Sequence, residues 1–162
     1  MSKLNVDQKA IIDLLSDKKA DFLIPDYQRP YAWSEEQCQT LWDDIFLFSF
    51  PDNNYEAFDD NEEYFLGSIV TYKNENGKSE VIDGQQRLTT LMLILRAFYD
   101  KFESMKDKNS ILTRDRIEKC IWKTDTFGTA DKNTLKIDSE VATDNDKDEF
   151  LDLLRTGVVK KG

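Results

Sequence analysis

The sequence predicts an α+β domain with a small sheet. Its strongest helical pattern covers residues 87–101, where apolar side chains recur at the 3.6-residue period of a helix. A β-hairpin is predicted just before it, with strands at residues 64–72 and 80–82 around a turn at residues 74–77. The chain has 162 residues, of which 40% are hydrophobic, so we expect one domain with a core of its own.

The first part of the chain is predicted to alternate helix, strand and helix. Residues 6–16 place apolar side chains at helical spacing, and residues 21–24 form a short strand that a proline ends. Residues 25–33 contain two prolines and are expected to be extended and irregular. Ser34 starts the next helix, because Gln37 three residues later completes a capping-box pattern. The predicted buried face of this helix consists of Leu41, Trp42, Ile45 and Phe46.

The remaining segments are predicted from charge and periodicity. Residues 52–63 carry six acidic side chains and no basic one, which indicates an exposed loop. Residues 111–122 predict a helix, residues 124–133 a polar loop and residues 134–137 a short strand. Acidic residues in the first turn favour a last helix at residues 144–155. The main elements therefore follow the order α-β-α-β-β-α-α-α.

Two absences restrict the function. The sequence contains no histidine, which excludes Ser-His-Asp and Cys-His catalytic systems, histidine-based metal sites and a His-Asn-His nuclease centre within this chain. The 22 basic residues are outnumbered by 32 acidic ones, for a net charge of −10. Because nucleic-acid affinity depends largely on neutralising phosphates, we do not expect this chain alone to be a general DNA binder.

The chain carries no sign of export or membrane insertion. No apolar run approaches the roughly 18 residues of a membrane span, and residues 1–5 lack the apolar core of a signal peptide. Cys38 and Cys120 are far apart and belong to no CxxC motif, so no disulfide or zinc site is predicted. We expect a cytoplasmic protein without a membrane partner.

Residues 83–87, Asp-Gly-Gln-Gln-Arg, lie where the second hairpin strand ends and the central helix begins. Gly84 has no side chain, which suits a tight turn or the close approach of a ligand. The free N–H groups and the positive dipole end of the helix attract an anion such as phosphate. The two glutamines add neutral donors and acceptors, and Arg87 adds a planar fork of donors. Asp83 is interpreted either as the helix cap or as a group that holds a metal-bound water.

The alternative is that this junction is only structural, with an aspartate cap, a glycine turn and solvated glutamines. Five consecutive residues able to contact an anion, between an apolar strand and an apolar helix, weaken that alternative. The junction is neither a Walker A loop nor a GxGxxG motif, so those nucleotide-binding classes are excluded. We predict an anion site here, with a nucleotide as the leading candidate.

A second candidate segment lies at residues 25–33, which two prolines stiffen. It presents Gln28, Arg29 and three aromatic side chains, which suit a pocket where an aromatic ring stacks on a base and the arginine contacts phosphate. In the alternative, Tyr31 and Trp33 pack as core and the arginine pairs with a carboxylate. Taken without its context, the segment favours that second interpretation.

Three motifs occur in order along the chain: Ile-Pro-x-Tyr-Gln-Arg-Pro-Tyr-x-Trp at residues 24–33, Tyr-Phe-Leu-Gly-Ser-Ile at residues 64–69, and Ile-Asp-Gly-Gln-Gln-Arg-Leu-Thr at residues 82–89. Together they resemble the N-terminal domain of the GmrSD family of modification-dependent restriction endonucleases. The core motifs lie within residues 20–100, and residues 101–157 form a helical remainder. The resemblance implies a ParB/sulfiredoxin-like fold, with a small mixed sheet and packed helices.

The resemblance also implies a nucleoside-triphosphate site at the helix start, with Mg²⁺ bound to the nucleotide and no metal site formed by the protein alone. Asp83 and Arg87 are expected to be catalytic. The expected nucleotide-binding residues are Gln28, Arg29, Gly84, Gln85, Gln86 and Arg87.

The expected partners follow from the same family. Its members couple nucleotide binding, and in some cases hydrolysis, to DNA cleavage by a His-Asn-His nuclease domain. We therefore expect residues 1–162 to be a single domain, the N-terminal part of a longer protein, that reaches DNA only through the full-length protein. A C-terminal or separate nuclease domain would be its partner, and the sequence leaves homodimerisation open.

Three functional hypotheses result. The first is a nucleoside-triphosphate-binding regulatory domain of a phage-defence restriction endonuclease, with hydrolysis left open. The second is a non-catalytic module that senses a ligand or docks a partner through its acidic surface. The third, a ParB-like nuclease that acts directly on DNA, is disfavoured by the net charge of −10.

Overall fold

The computed structural model describes residues 4–141 and 146–159, and it confirms an α+β fold. Within these residues lie five α-helices, two short 3-10 helices and six strands. The helices are α1 (Ile11–Ser16), α2 (Glu35–Ser49), α3 (Gln85–Glu103), α4 (Lys108–Ile121) and α5 (Lys147–Thr156). The strands are β1 (Phe22–Ile24), β2 (Val70–Lys73), β3 (Ser79–Asp83), β4 (Trp122–Thr124), β5 (Ala130–Leu135) and β6 (Ile137–Ser139). The 3-10 helices are Pro51–Asn53 and Tyr55–Ala57.

The main sheet is mixed and has the strand order β2-β3-β1-β6. Strand β1 pairs in parallel with β3 on one side and with β6 on the other, whereas β2 and β3 form the antiparallel hairpin. A separate two-stranded sheet joins β4 to β5. Because β1, β3 and β6 run in the same direction, their carboxyl ends meet at one edge of the sheet.

The core lies where residues of four helices, α1, α3, α4 and α5, pack together with the main sheet. Alternate residues of β1, Phe22 and Ile24, point into it, as the two-residue period of a strand requires. Helix α3 meets them with Leu88 and Met92, which are fully buried because they lie four residues apart on one face of the helix. The other buried members of this core are Leu15, Val81, Cys120, Ile137, Val141 and Leu154.

Helix α2 confirms one prediction and corrects another. Ser34 caps it and Gln37 completes the capping box, since the Ser34 oxygen accepts from the Gln37 N–H while the Gln37 side chain accepts from the Ser34 N–H. The predicted buried face is wrong: only Leu41 is buried, Ile45 and Phe46 are half-buried, and Trp42 is 37% exposed. Among the described residues, little covers this face of the helix.

Three predicted boundaries differ in the N-terminal two thirds of the chain. Helix α1 begins at Ile11 rather than at residue 6, because residues 6–10 are all exposed and make no contact with the core that would stabilise a helix. Residues 64–69 are not strand, and the hairpin starts only at Val70, since β3 is too short to pair with the whole predicted segment. Helix α3 begins at Gln85, two residues before the predicted start.

The predicted polar loop at residues 124–133 is wrong. Its second half belongs to β5, a strand whose polar side chains face outward while its backbone pairs with β4. The predicted strand at residues 134–137 is divided between β5 and β6 on either side of Lys136.

Helix α5 begins at Lys147; the predicted start at residue 144 lies outside the described residues. Helix α4 begins three residues earlier than predicted, at Lys108.

The Cys120 thiol should be inert in the folded protein. Burial in the core raises its pKa to about 11, and the thiolate is the reactive form. In a Cys38→Ser background, we expect an aromatic disulfide reagent at mildly alkaline pH to leave Cys120 unmodified until urea unfolds the chain. Rapid labelling of the native protein, measured by the released thiol and absent from Cys120→Ser, would contradict this packing.

Candidate anion-binding site

The candidate site lies at the edge of the main sheet where the parallel strands end. Strand β1 ends at Ile24, β3 at Asp83 and β6 at Ser139. Helix α3 begins two residues after β3, so its positive end lies at this same edge. In open α/β sheets, ligands bind outside the carboxyl ends of parallel strands.

Gly84 is the N-cap of α3 and turns the chain from strand to helix. Its φ of +89° lies in the left-handed region, which glycine adopts without strain. No side chain caps the helix, so the N–H groups of its first turn remain free to bind a ligand. The interpretation of Asp83 as the helix cap is wrong, because the cap position falls on the residue after it.

A second backbone segment packs closely against this turn. A Cβ atom on Gly84 would lie 2.8 Å from the carbonyl oxygen of Ser68. The Arg87 guanidinium donates to that same oxygen at 2.9 Å. It also lies over Gly67, where a Cβ atom would be 2.5 Å from the guanidinium carbon. Residues 67–69 belong to no strand, and they lie against this turn.

The proline-rich segment is fastened to the start of α3 by Gln86. The Ala32 N–H donates to the Gln86 amide oxygen at 2.7 Å, and the Gln86 amide nitrogen donates to the Pro30 carbonyl at 3.0 Å. Gln28 fastens the same segment to β3, donating to the carbonyl of Ile82 at 3.0 Å. The side chains of both glutamines are therefore used in hydrogen bonds to backbone groups.

Tyr31 also links the proline-rich segment to α3, through a hydrogen bond with the Thr90 hydroxyl. The Thr90 hydroxyl donates to the Gln86 carbonyl, and the Tyr31 and Thr90 oxygens are 2.9 Å apart. Since a threonine hydroxyl has one hydrogen, Tyr31 is the donor in this pair. The Cys38 sulfur lies 3.2 Å from the Tyr31 oxygen. Burial and then the Cys38 contact raise the pKa of Tyr31 to about 12, so Tyr31 stays neutral near physiological pH.

A small pocket opens between this segment, the start of α3 and the start of α5. Its volume is about 70 Å³, and its polar lining groups are not all engaged. Gln85 is 9% exposed and Thr89 is 3% exposed, yet neither side chain bonds to any residue in the described part of the chain. Arg29 is exposed at the pocket and likewise has no described partner. The other lining residues are Ile24, Tyr31, Gln86, Ser139, Val141, Asp146 and Phe150.

Comparison with known proteins agrees with the motifs and the fold. A protein-family model described as "GmrSD restriction endonuclease, N-terminal domain" matches residues 11–159. The chain belongs to the GmrSD N-terminal domain family. No curated protein sequence matches it. None of the helices in the described residues is long and apolar enough to cross a membrane.

The predicted site residues of this GmrSD N-terminal domain fall into two groups. Arg29, Gln85 and Gln86 line the pocket. Gln28 and Arg87 instead bond to backbone carbonyls beside it, and Asp83 is exposed at the end of β3 without a described partner. Gly84 contributes through the turn that leaves the α3 amides free.

Several pocket residues were not predicted as site residues. Thr89 follows Gln85 by one helical turn, so the 3.6-residue period was a usable signal for it. Ser139 and Phe150 lie on elements distant in sequence: the sheet order brings the end of β6 to this edge, and the packing of α5 against the core brings Phe150 there. No local pattern identifies them.

The described residues contain no cluster of three or more acidic or cysteine side chains that could hold a metal ion. Mg²⁺ typically keeps several waters and binds through one or two carboxylates together with substrate phosphates. The exposed carboxylate of Asp83, which has no partner among the described residues, could supply one such ligand.

The close contact at Gly84 predicts a difference between two glycine variants. Gly84→Ala and Gly77→Ala both place alanine at a positive φ, of +89° and +78° respectively, but only the Gly84 position meets atoms within 4 Å. Left-handed strain costs about 1–2 kcal/mol in each, and overpacking adds about 1–3 kcal/mol at Gly84 alone. Urea unfolding followed by circular dichroism measures both losses. Equal losses would show that residues 67–69 do not pack against the turn.

Proposed function

We propose that this domain binds a nucleoside triphosphate, with phosphate groups at the amino end of α3, and acts as a regulatory domain of a restriction endonuclease. The observation that carries this proposal is a set of unused donors around one uncapped helix start. Gln85 and Thr89 line the pocket without a hydrogen-bond partner among the described residues, and Arg29 is free beside them. Neither side chain has a fully buried polar atom that lacks a partner, so these donors are open to the pocket and available to phosphate oxygens.

The helix start supplies the first set of phosphate contacts. The backbone N–H groups of the first turn of α3 have no side-chain cap, and the helix dipole favours negative charge there. The amide of Gln85 and the hydroxyl of Thr89 face the same pocket and can donate to phosphate oxygens. Charge-assisted hydrogen bonds of this kind are stronger than neutral ones.

Two arginines flank the helix start on opposite sides. Successive helix positions are about 100° apart, so residue 87 points about 200° away from residue 85. Arg29 faces the pocket, whereas Arg87 faces residues 67–69 and uses one N–H on Ser68. The other donors of Arg87 have no partner among the described residues. In the proposal, Arg29 binds a phosphate in the pocket and Arg87 binds a neighbouring phosphate outside it.

The size of the pocket limits what enters it. A volume of about 70 Å³ is well below the roughly 300–1,000 Å³ of pockets that enclose a drug-sized ligand. In the proposal, phosphate enters and the nucleoside rests on the surface outside. Base preference would then depend on exposed residues outside the pocket, such as Tyr27, which precedes Arg29 by two positions.

Mg²⁺, bound with the nucleotide, would neutralise charge on the phosphates. Asp83 is the residue that would hold one of its water ligands, since its carboxylate is exposed and unpaired among the described residues. The protein groups act independently of the ion: the α3 amides orient the phosphates and the two arginines offset their charge.

Hydrolysis of the bound nucleotide is the second candidate, and the unpaired carboxylate of Asp83 beside the helix start favours it. The carboxylate would orient a water molecule for attack, while Arg87 and the α3 amides stabilise the charge that develops on the transferred phosphoryl group. DNA cleavage would then be performed by a His-Asn-His nuclease domain or subunit, because residues 1–162 contain no histidine.

Binding should depend on the pocket residues. We expect titration calorimetry with ATP, GTP, CTP and UTP in Mg²⁺ to show saturable binding for at least one of them. Arg29→Ala and Gln85→Ala should each weaken it about tenfold or more, since a hydrogen bond to a charged group contributes about 1.5–3 kcal/mol. Arg116→Ala, an exposed arginine on α4 outside the pocket lining, is the matched control. No binding by any nucleotide, or equal loss in the control, would reject the site.

Hydrolysis is tested separately by single-turnover phosphate release. With enzyme in excess over nucleotide, we expect Asp83→Asn to keep binding and to lose phosphate release, because the amide is isosteric but does not hold a metal-bound water as well. Stoichiometric binding without any release by the unmodified domain would instead support a sensor that does not turn its ligand over.

A further inference from the structure

The net charge of this domain is confined to one segment. Residues 30–72 contain ten acidic residues and no basic ones, whereas the rest of the chain contains 22 acidic and 22 basic residues and is neutral. This segment includes α2 and both 3-10 helices. None of the ten carboxylates forms an ion pair with a basic residue in the described part of the chain. We call this group the acidic rim: Glu35, Glu36, Asp43, Asp44, Asp52, Glu56, Asp59, Asp60, Glu62 and Glu63.

An unbroken series of aromatic contacts, which we call the aromatic ridge, has five of its seven rings in the same segment and two on α3. It runs from α3 across α2 to the 3-10 helices, and its consecutive ring centroids are 5.1–6.2 Å apart. Its members are Phe102, Phe98, Trp42, Phe46, Phe50, Tyr55 and Phe58.

Several side chains of the aromatic ridge remain exposed to solvent. Trp42 is 37% exposed, Phe58 56% and Tyr55 71%. The adjacent Leu47 is 55% exposed, and Leu41 is the only residue of α2 that is buried among those described. An amphipathic helix normally buries its apolar stripe, and a contiguous apolar surface rimmed by polar residues marks an interaction site.

We propose that the aromatic ridge, bordered by the acidic rim, docks a basic amphipathic polypeptide segment. Its apolar side chains would cover the rings, and its lysines or arginines would meet the carboxylates. Charge complementarity selects this occupant. A second copy of the same face would oppose ten carboxylates with ten more, and nucleic acid would oppose them with phosphates; like charges across an interface are unfavourable.

The geometry of α2 suits a helical segment. The helix has 15 residues, so the face that it offers is roughly 22 Å long. A partner helix laid along it would present apolar side chains every three or four residues toward the rings, which is the usual way in which a protein groove binds an amphipathic helix. The site for this partner is separate from the pocket at the start of α3, because none of the aromatic-ridge residues lines that pocket.

The test uses the whole chain and a labelled helical peptide of about 15 leucines and lysines, which matches the length of α2. Its control has the same composition in a scrambled, non-amphipathic order. We expect fluorescence anisotropy to show saturable binding of the amphipathic peptide and at least tenfold weaker binding of the scrambled one. Binding should also weaken as salt is raised, since the rim charges are exposed.

Two pairs of variants locate the binding surface. Tyr55→Ser/Phe58→Ser should weaken binding about tenfold, whereas Phe127→Ser, which changes a ring that is 93% exposed in the β4–β5 turn, should not. Asp59→Asn/Asp60→Asn should weaken it more than Glu75→Gln/Asp115→Asn, which removes two exposed charges outside the acidic segment. These changes lie on exposed residues, and circular dichroism verifies that each variant is folded.

Three results would overturn the proposal. The first is no binding of the amphipathic peptide, or equal binding of the scrambled one. The second is binding that none of the aromatic-ridge or acidic-rim variants weakens. The third is concentration-dependent dimerisation of the domain that Tyr55→Ser/Phe58→Ser abolishes, which would show that a second copy covers the face.

Discussion

The arrangement of this domain depends on the close approach of two backbones at Gly84. The carbonyl oxygen of Ser68 lies only 2.8 Å from where a Cβ atom of residue 84 would be, so a side chain at the turn from β3 into α3 would force this segment to shift. That turn brings the amino end of α3 to the edge where the parallel strands end, and it leaves the helix without a side-chain cap. The hydrogen bond from Arg87 to Ser68 then fixes the opposing segment. The free amides that an anion would use result from this contact.

The geometry of the pocket wall has a second source, the hydrogen bonds that attach the proline-rich segment to α3. Gln86 holds the backbone on both sides of Tyr31, and Gln28 holds it to β3. Arg29 lies between these attachments and is free to point at the pocket. In the proline-rich segment and the start of α3, some residues therefore position the backbone, and others remain available to a ligand.

Sequence reasoning found the junction but not the division of roles within it. The strand-to-helix change and Gly84 follow from local patterns, and the capping box at Ser34 is equally local. By contrast, both Gln85 and Gln86 line the pocket, but only Gln86 bonds to the proline-rich segment. Which of the two does so depends on the side of α3 that this segment occupies, and local sequence patterns do not show that. The predicted buried face of α2 failed for a similar reason, because periodicity shows which side is apolar and does not show whether anything covers it.

The central claim is that the uncapped start of α3 binds phosphate. Its most direct test is a set of ¹H–¹⁵N spectra recorded while inorganic triphosphate is added to the domain. We predict that the backbone amides of Gln85, Gln86 and Arg87 shift first and furthest. The claim would be contradicted if they stayed unchanged while shifts gathered around Lys123 and Arg155, which line a cleft at the opposite edge of the sheet.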